Sequence, residues 1–323
     1  MGGGPMSGSV LYDVPGPRAV LRNRVLGIVT VLVLLAILGW LLWRLWATGQ
    51  FTASKWEAFT YTQVWAQVWA ATLRTLAAFG LAAVGALALG FVLAIGRLSD
   101  HAWLRWPVTF VTEFLRAVPV LVMMFLLYYG LPVIGIRMDN YWVVVIALVA
   151  YNGSVLAEVI RAGVEALPRG QREAGYAIGL RKSGVMRLIL LPQAIRAMMP
   201  VILAQLVVTL KDTALGFIIT YEELLFYARF IGSRAPLDSP IVPATIVVGA
   251  IYIGLCLILS GIARLVEKRM QKSPRVRAAR EAVGPRLHES TNTELLAAQD
   301  LNELTRTSAP SESGDEPPRG RPR

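Results

Sequence analysis

Apolar residues run along this chain in long, nearly uninterrupted blocks, and polar residues collect between them. Blocks at about 25–43, 72–96, 108–131, 141–160, 198–220 and 241–263 predict six helical spans. In hydrocarbon a segment must satisfy its own backbone hydrogen bonds, and a helix of about 18 or more apolar residues does so. A soluble two-domain protein of this length would place charges every few positions, and residues 25–260 lack them over most of their length. The pattern therefore predicts an all-α membrane protein.

The edges of the blocks add detail. The first block follows Arg18, Arg22 and Arg24, as the core of a signal peptide would. Its apolar core is longer than such a peptide needs and no convincing small-x-small site follows, so a retained helix is expected. Trp40, Trp43 and Trp46 at its far end suit the headgroup level, where amphipathic rings settle. The stretch around Trp56, Phe59, Trp65, Val68 and Trp69 reads either as a surface helix or as the approach to the next span. In the second block Ala82, Ala86, Gly90 and Ala94 recur every four residues, giving one face of small side chains for close helix packing.

Charge then orients the blocks. The segment up to residue 24, the 97–107 loop and the 161–196 segment hold 3, 2 and 7 Lys/Arg, against 3, 1 and 2 in the 44–74, 132–140 and 221–240 loops. Cytoplasmic loops collect the basic residues, so both termini are expected inside. The net charge of +11 is accounted for by this topology better than by nucleic-acid binding, because the basic residues form no continuous face. The composition of residues 273–323 shifts to Ser, Pro, Gly and mixed charge, which predicts a mostly disordered tail with a short amphipathic helix near Glu294–Leu304.

Candidate chemistry is sparse. Cys256 is the single cysteine and His101 and His288 are far apart, so no multi-cysteine or paired-His metal motif exists. No phosphate loop occurs: GLRKSG at 179–184 lacks the Gly-Lys-Ser/Thr ending that cradles phosphates. Within the fifth block Lys211, Asp212 and Thr213 interrupt the apolar run, at a cost of about 2.5–3.5 kcal/mol for each ionisable group. Such residues either contact a solute in the pathway or brace a broken helix. Adjacent positions point about 100° apart, so Lys211 and Asp212 make no same-face pair. Glu113, Arg116, Glu158 and Arg161 lie at span ends and read as structural bracing, with Glu158 and Arg161 spaced i,i+3. Asn152 suits an interhelical hydrogen bond.

The polar segment Arg161–Arg196 contains helix-competent pieces, Gly170–Ile178 and Lys182–Leu191, separated by Gly179. Gly suits the turn where a helix ends, and Pro192 is expected to mark the restart into the next span. The result reads as a short helix–turn–helix on the membrane surface. An ordinary lipid-bound basic loop is the alternative.

EAGYAIGLRKSGVMRLILLP, Glu173–Pro192, resembles the EAA loop of bacterial ABC-importer permeases, with Gly175 where Ala is commoner. EFLRAVPVLVMMFLLYYGLP (Glu113–Pro132), YNGSVLAEVIRAGVEALPRGQREA (Tyr151–Ala174) and LKDTAL (Leu210–Leu215) are similar to the polar amino-acid branch of that family. The resemblance covers about residues 65–265, and the added N-terminal span and tail look most like glutamate permeases of high-GC Gram-positive bacteria.

It implies a five-helix type I ABC-importer core plus one N-terminal helix. The implied organisation is a cytoplasmic segment 1–24, a helix and extracytoplasmic segment 25–64, a permease domain 65–265 with coupling loop 164–192, and a cytoplasmic tail 266–323. It implies that Glu173, Ala174, Gly175, Gly179 and Pro192 engage an ATPase, and that Lys211, Asp212, Thr213 and Asn152 line the substrate pathway. Two ATP-binding cassette subunits would carry ATP and Mg, with no cofactor on this chain. A second homologous permease or a second copy and an extracytoplasmic amino-acid-binding protein would complete the complex in the bacterial plasma membrane. An ion-coupled secondary transporter using Asp212 or Glu158, and a non-transporting scaffold, are the rival readings.

Overall fold

A computed structural model describes residues 17–271. The expected N-terminal segment before residue 17, and the tail with its helix near Glu294–Leu304, lie outside the described residues. By compactness the chain divides at Arg264/Leu265, and residues 17–264 hold the architecture considered below.

All regular structure among the described residues is helical. Helix α1 is Pro17–Ala47, and a short α2, Ala53–Glu57, is followed by a 3-10 turn over Ala58–Thr60. Helix α3 is Thr62–Arg97, α4 is Ala102–Ala117 and α5 is Val120–Val133. Helix α6 is Asn140–Glu165, α7 is Arg169–Ala177 and α8 is Lys182–Ile219. Leu224–Gly232 forms α9 and Ile241–Gln271 forms α10. Five of these helices are long and apolar enough to cross a membrane, or six if the bent pair α4–α5 counts as one span. The aromatic stretch after α1 is thus divided: Trp56 and Phe59 sit in the short turns, and Trp65, Val68 and Trp69 begin α3.

The third expected span differs from the sequence expectation. Instead of one helix over 108–131, α4 and α5 meet at 98°. Pro119 disfavours helical geometry in the residue before it, and Val118 is extended at φ −82°, ψ 120°. Arg116 and Pro119 therefore stand at a corner inside the segment.

The fifth differs too. Pro192 stands in the first turn of the α-helical stretch Leu191–Asp212, as expected, but that stretch is continuous with the hairpin arm, because α8 runs unbroken from Lys182. A π turn over Val185–Leu190 precedes Pro192 and widens the coil where the ring would otherwise collide with the preceding turn. The surface hairpin consequently has one free arm, α7, and one arm continuous with a span.

The α3–α6 pair is the centre of the bundle. Ala82, Ala86 and Ala94 are fully buried and Gly90 is buried among them. A Cβ on Gly90 would stand 2.8 Å from Leu156 Cβ and 2.9 Å from the Gly153 carbonyl, so the backbones approach more closely than any side chain permits. A second core packs α3, α5 and α6 around Met124, Val144 and Leu148, and a third packs the start of α3 against α9 and α10 through Val68, Leu224 and Val248.

Candidate functional site

Three groups of polar residues stand out once the helices are placed. The first is the hairpin of α7 and the start of α8. Pro168 enters α7 in an extended conformation, which a helix N-cap position requires. Gly179 leaves it at φ +82°, the left-handed conformation that glycine adopts without penalty. Its amide donates to the Tyr176 carbonyl at 2.9 Å, and the Leu180 amide donates to that of Gly175 at 3.1 Å, satisfying orphan helix carbonyls.

Gly175 has a use the sequence did not reveal. A Cβ there would lie 2.8 Å from Val185 Cγ2 and 3.0 Å from Ile189 Cδ1. The missing methyl is the space into which Val185 packs. Gln193 Nε2 adds a bond to Gln171 Oε1 at 3.3 Å, so α7 and α8 are fastened at both ends of their contact. Glu173, Ala174, Tyr176 and Ile178 face outward and are exposed, Ile178 by 76%. Pro192 lies on α8 within this contact, between Ile189 and Gln193.

The second group lies deep in the bundle. Asn152 on α6 is fully buried; its Nδ2 donates to the Leu148 carbonyl at 3.1 Å and its Oδ1 accepts from Gln205 Nε2 at 2.8 Å. Gln205 and Asp212 share a face of α8 at i,i+7, and Asp212, half-buried, neighbours the same Asn152 amide. Lys211 and Thr213 are not brought to this cluster in the same way. Lys211 is exposed, with no acidic side chain within ion-pair distance among the described residues, and Thr213 is fully buried with its hydroxyl on the Leu210 carbonyl at 2.7 Å. Gln205, absent from the expected set, is the side chain that joins α8 to Asn152.

The third group gathers all the residues expected to brace the span ends, around one that was not singled out. Arg97, the last residue of α3, is 9% exposed and reaches Glu113 of α4 and Glu158 of α6, each at 2.9 Å. Arg116 holds Glu113 at 3.2 Å, and Arg161 holds Glu158 at 2.6 Å and Glu165 at 2.5 Å. Beyond Arg97 the chain turns through Leu98–Asp100, and Lys182 of the hairpin binds there, to the Leu98 carbonyl at 3.4 Å and to the Asp100 carboxylate. That hydrogen bond holds the Asp100 carboxyl below the usual carboxylate range. Sequence placed Arg97 in a basic loop, and nothing in its local pattern shows that helix ends converge on it.

No group of three or more potential metal ligands occurs among the described residues.

A helical bundle with five or six helices long and apolar enough to cross a membrane, bearing a fastened hairpin between two of them, is the form of a multi-pass membrane protein. Residues 86–272 match the family described as "Binding-protein-dependent transport system inner membrane component". The chain is 35% identical over 227 residues to the glutamate transport system permease protein GluD of Corynebacterium glutamicum, covering 69% of this chain and 82% of that protein. It is 32% identical over 199 residues to the probable glutamine ABC transporter permease protein GlnM of Bacillus subtilis, covering 62% and 91% respectively. Among solved structures, an amino acid ABC transporter crystallised with histidines aligns at TM-score 0.59 and 28% identity, over 66% of this chain and 97% of that one.

The chain belongs to this family of ABC-importer inner membrane components. It is a multi-pass membrane permease subunit of the type I importer fold, and ATP hydrolysis resides on separate subunits of such systems. Membership decides against the ion-coupled and scaffold alternatives.

Proposed function

We propose that this chain is the permease of an ATP-driven importer of polar amino acids, with glutamate or a close relative as the solute. The relatives that carry this substrate class are named for glutamate and glutamine transport, and that observation supports the reading most directly. In the complex, two ATPase subunits carry ATP and Mg. A second permease, homologous or identical, completes the pathway, and an extracytoplasmic binding protein delivers the solute. Both chain ends and the hairpin lie in the cytoplasm, following the basic loops.

The hairpin is the coupling element. Its exposed Glu173, Ala174, Tyr176 and Ile178 offer a compact mixed surface, and its fastening to α8 makes it a lever rather than a loop. Closure of the ATPases moves α7, and α8 carries the movement to Gln205 and Asp212 in the bundle. An amino acid brings an ammonium and a carboxylate, so Asp212 with the amides of Asn152 and Gln205, and the exposed Lys211 on the neighbouring face, supply complementary groups along the pathway.

The test is uptake by vesicles holding the permease, its ATPase and the binding protein. Replacing Gly179 by Trp, or Glu173 by Lys, should reduce ATPase docking or uptake by about tenfold or more while the protein stays inserted, as expected for loss of a coupling contact. Normal uptake by both variants removes the coupling assignment. Asp212→Asn should change solute affinity or rate, and unchanged kinetics would make Asp212 a bracing residue.

A further inference from the structure

The α7–α8 hairpin has an obvious route into the bundle, along α8 itself. A second connection leaves it sideways. Lys182 reaches out of the hairpin to the Leu98 carbonyl and the Asp100 carboxylate, in the turn that follows α3. The residue immediately before that turn is Arg97, and its guanidinium is already bonded to α4 through Glu113 and to α6 through Glu158. Arg116 ties the α4 and α6 carboxylates together from the other side, 3.2 Å from Glu113 and 3.9 Å from Glu158. The hairpin is thus tied by Lys182 to the turn after α3, and the backbone of that turn leads within three residues to Arg97, whose ion pairs reach α4 and α6.

We propose that Lys182, Asp100 and Arg97 are positioning residues that form a lateral strap, transmitting hairpin movement to the ends of α3, α4 and α6 in parallel with the route through α8. This rests on the reading of the hairpin as the coupling element.

Two observations favour transmission over simple bracing. The strap joins the hairpin to the bundle through exposed groups, Lys182 by 40% and Asp100 by 69%, and ion pairs so exposed add little to stability. A pair that contributes little to holding the fold, yet ties the hairpin to the turn after α3 alongside the apolar cluster that includes Leu98 and Val185, is suited to a part that moves. The second observation is at the inner end. Arg97 Nη1 is buried and stands 2.9 Å from Glu158, but it is not directed to form a hydrogen bond there. Buried donors are ordinarily satisfied, so this nitrogen is held to Glu158 by charge rather than by a formed hydrogen bond. Charge attraction without a fixed hydrogen-bond direction tolerates a shift of α3, and packed elements that switch between discrete arrangements are how motion spreads across a bundle.

The experiment uses the complete transporter in proteoliposomes, with ATPases and binding protein, and reads solute moved per ATP hydrolysed. Lys182→Met and Asp100→Asn should each assemble and hydrolyse ATP normally but lower that ratio, by about fivefold or more, the range of a real coupling between sites. The exchanged pair, Asp100→Lys with Lys182→Asp, should restore it, because the pair is re-formed with reversed sign. An unchanged ratio in the single variants overturns the strap. So does a lowered ratio that the exchange fails to restore, since a merely structural defect would behave that way. Gly179→Trp in the same preparation separates the two ideas: if it leaves transport intact, the coupling reading itself fails; if it abolishes docking while the Lys182 variants keep a normal ratio, the strap alone fails.

Discussion

Glu223 is fully buried between the end of α8 and the start of α9, where an ionised carboxylate is costly. It caps α9, accepting from the Leu225 amide at 2.8 Å and the Phe226 amide at 2.7 Å, and it accepts a third bond from the Tyr252 hydroxyl on α10. Burial still prevails over these bonds and pushes its pKa from 4.5 to about 7. A carboxyl raised on folding is more protonated in the folded state, so its contribution is fully present below about pH 4.5 and is lost as pH rises through about 7. The thermal midpoint of the detergent-solubilised protein should therefore fall between those values, and Glu223→Gln should flatten that fall. A profile for the Glu223→Gln variant that runs parallel to the parent's would show that another group sets the dependence. Sequence did not single out Glu223, because a Glu in a polar loop looks like any other. Its character comes from α10 folding over it, and that is invisible locally. Asn152 was legible for the opposite reason: a lone amide within an apolar block has few options besides another helix.

Among the elements, spacing carried the most information where a single helix sufficed to explain it. The small residues of α3 were expected to form a packing face, and that face meets α6. Gly90→Val should therefore separate α3 from α6, since a Cβ already stands 2.8 Å from Leu156 Cβ and 2.9 Å from the Gly153 carbonyl. Overpacking of this kind costs about 1–3 kcal/mol, more where backbone is the obstacle. Gly80→Val is the control, because nothing lies within 4 Å of the Cβ it would add. Size-exclusion profiles after heating should show early loss for the first variant and parent-like behaviour for the second; equal loss would mean helix propensity, not packing, is the cause. The bend at Val118–Pro119 was harder to foresee, although its cause is local. Hydropathy averages across the corner, so apolar residues on both sides read as one span while Pro119 forces Val118 extended. At Pro192 the α-helix starts as expected, but a π turn that no composition signals keeps it continuous with the hairpin arm.

On the scale of the whole molecule, α1 and the bundle pose the remaining question. The apolar stretch of α1 is wholly unburied within the chain, whereas that of α6 is 61% buried. The bundle's cores are built from α3, α5, α6, α8, α9 and α10, and none of them draws on α1. Residues 86–272, the part matched to the family, also begin after it. A chain lacking residues 1–47 should then fold its bundle unaided. Its topology is the less obvious consequence, because removing one span changes the parity. The remaining basic loops at 97–107 and 161–196 still outweigh those at 132–140 and 221–240, by 9 Lys/Arg to 3, so they should stay inside. On the proposed orientation the start of α3 is outside, so the shortened chain would present its new N-terminus to the exterior and its C-terminus to the cytoplasm. Reporter fusions at the two ends check this directly. An N-terminus found inside, with the hairpin displaced outward, would mean that α1 sets the orientation and the basic loops follow it. Opposite ends on opposite faces, together with uptake in the presence of the ATPase, would mean that the bundle carries both its own orientation and its function, leaving α1 as an appended helix that meets lipid or another subunit.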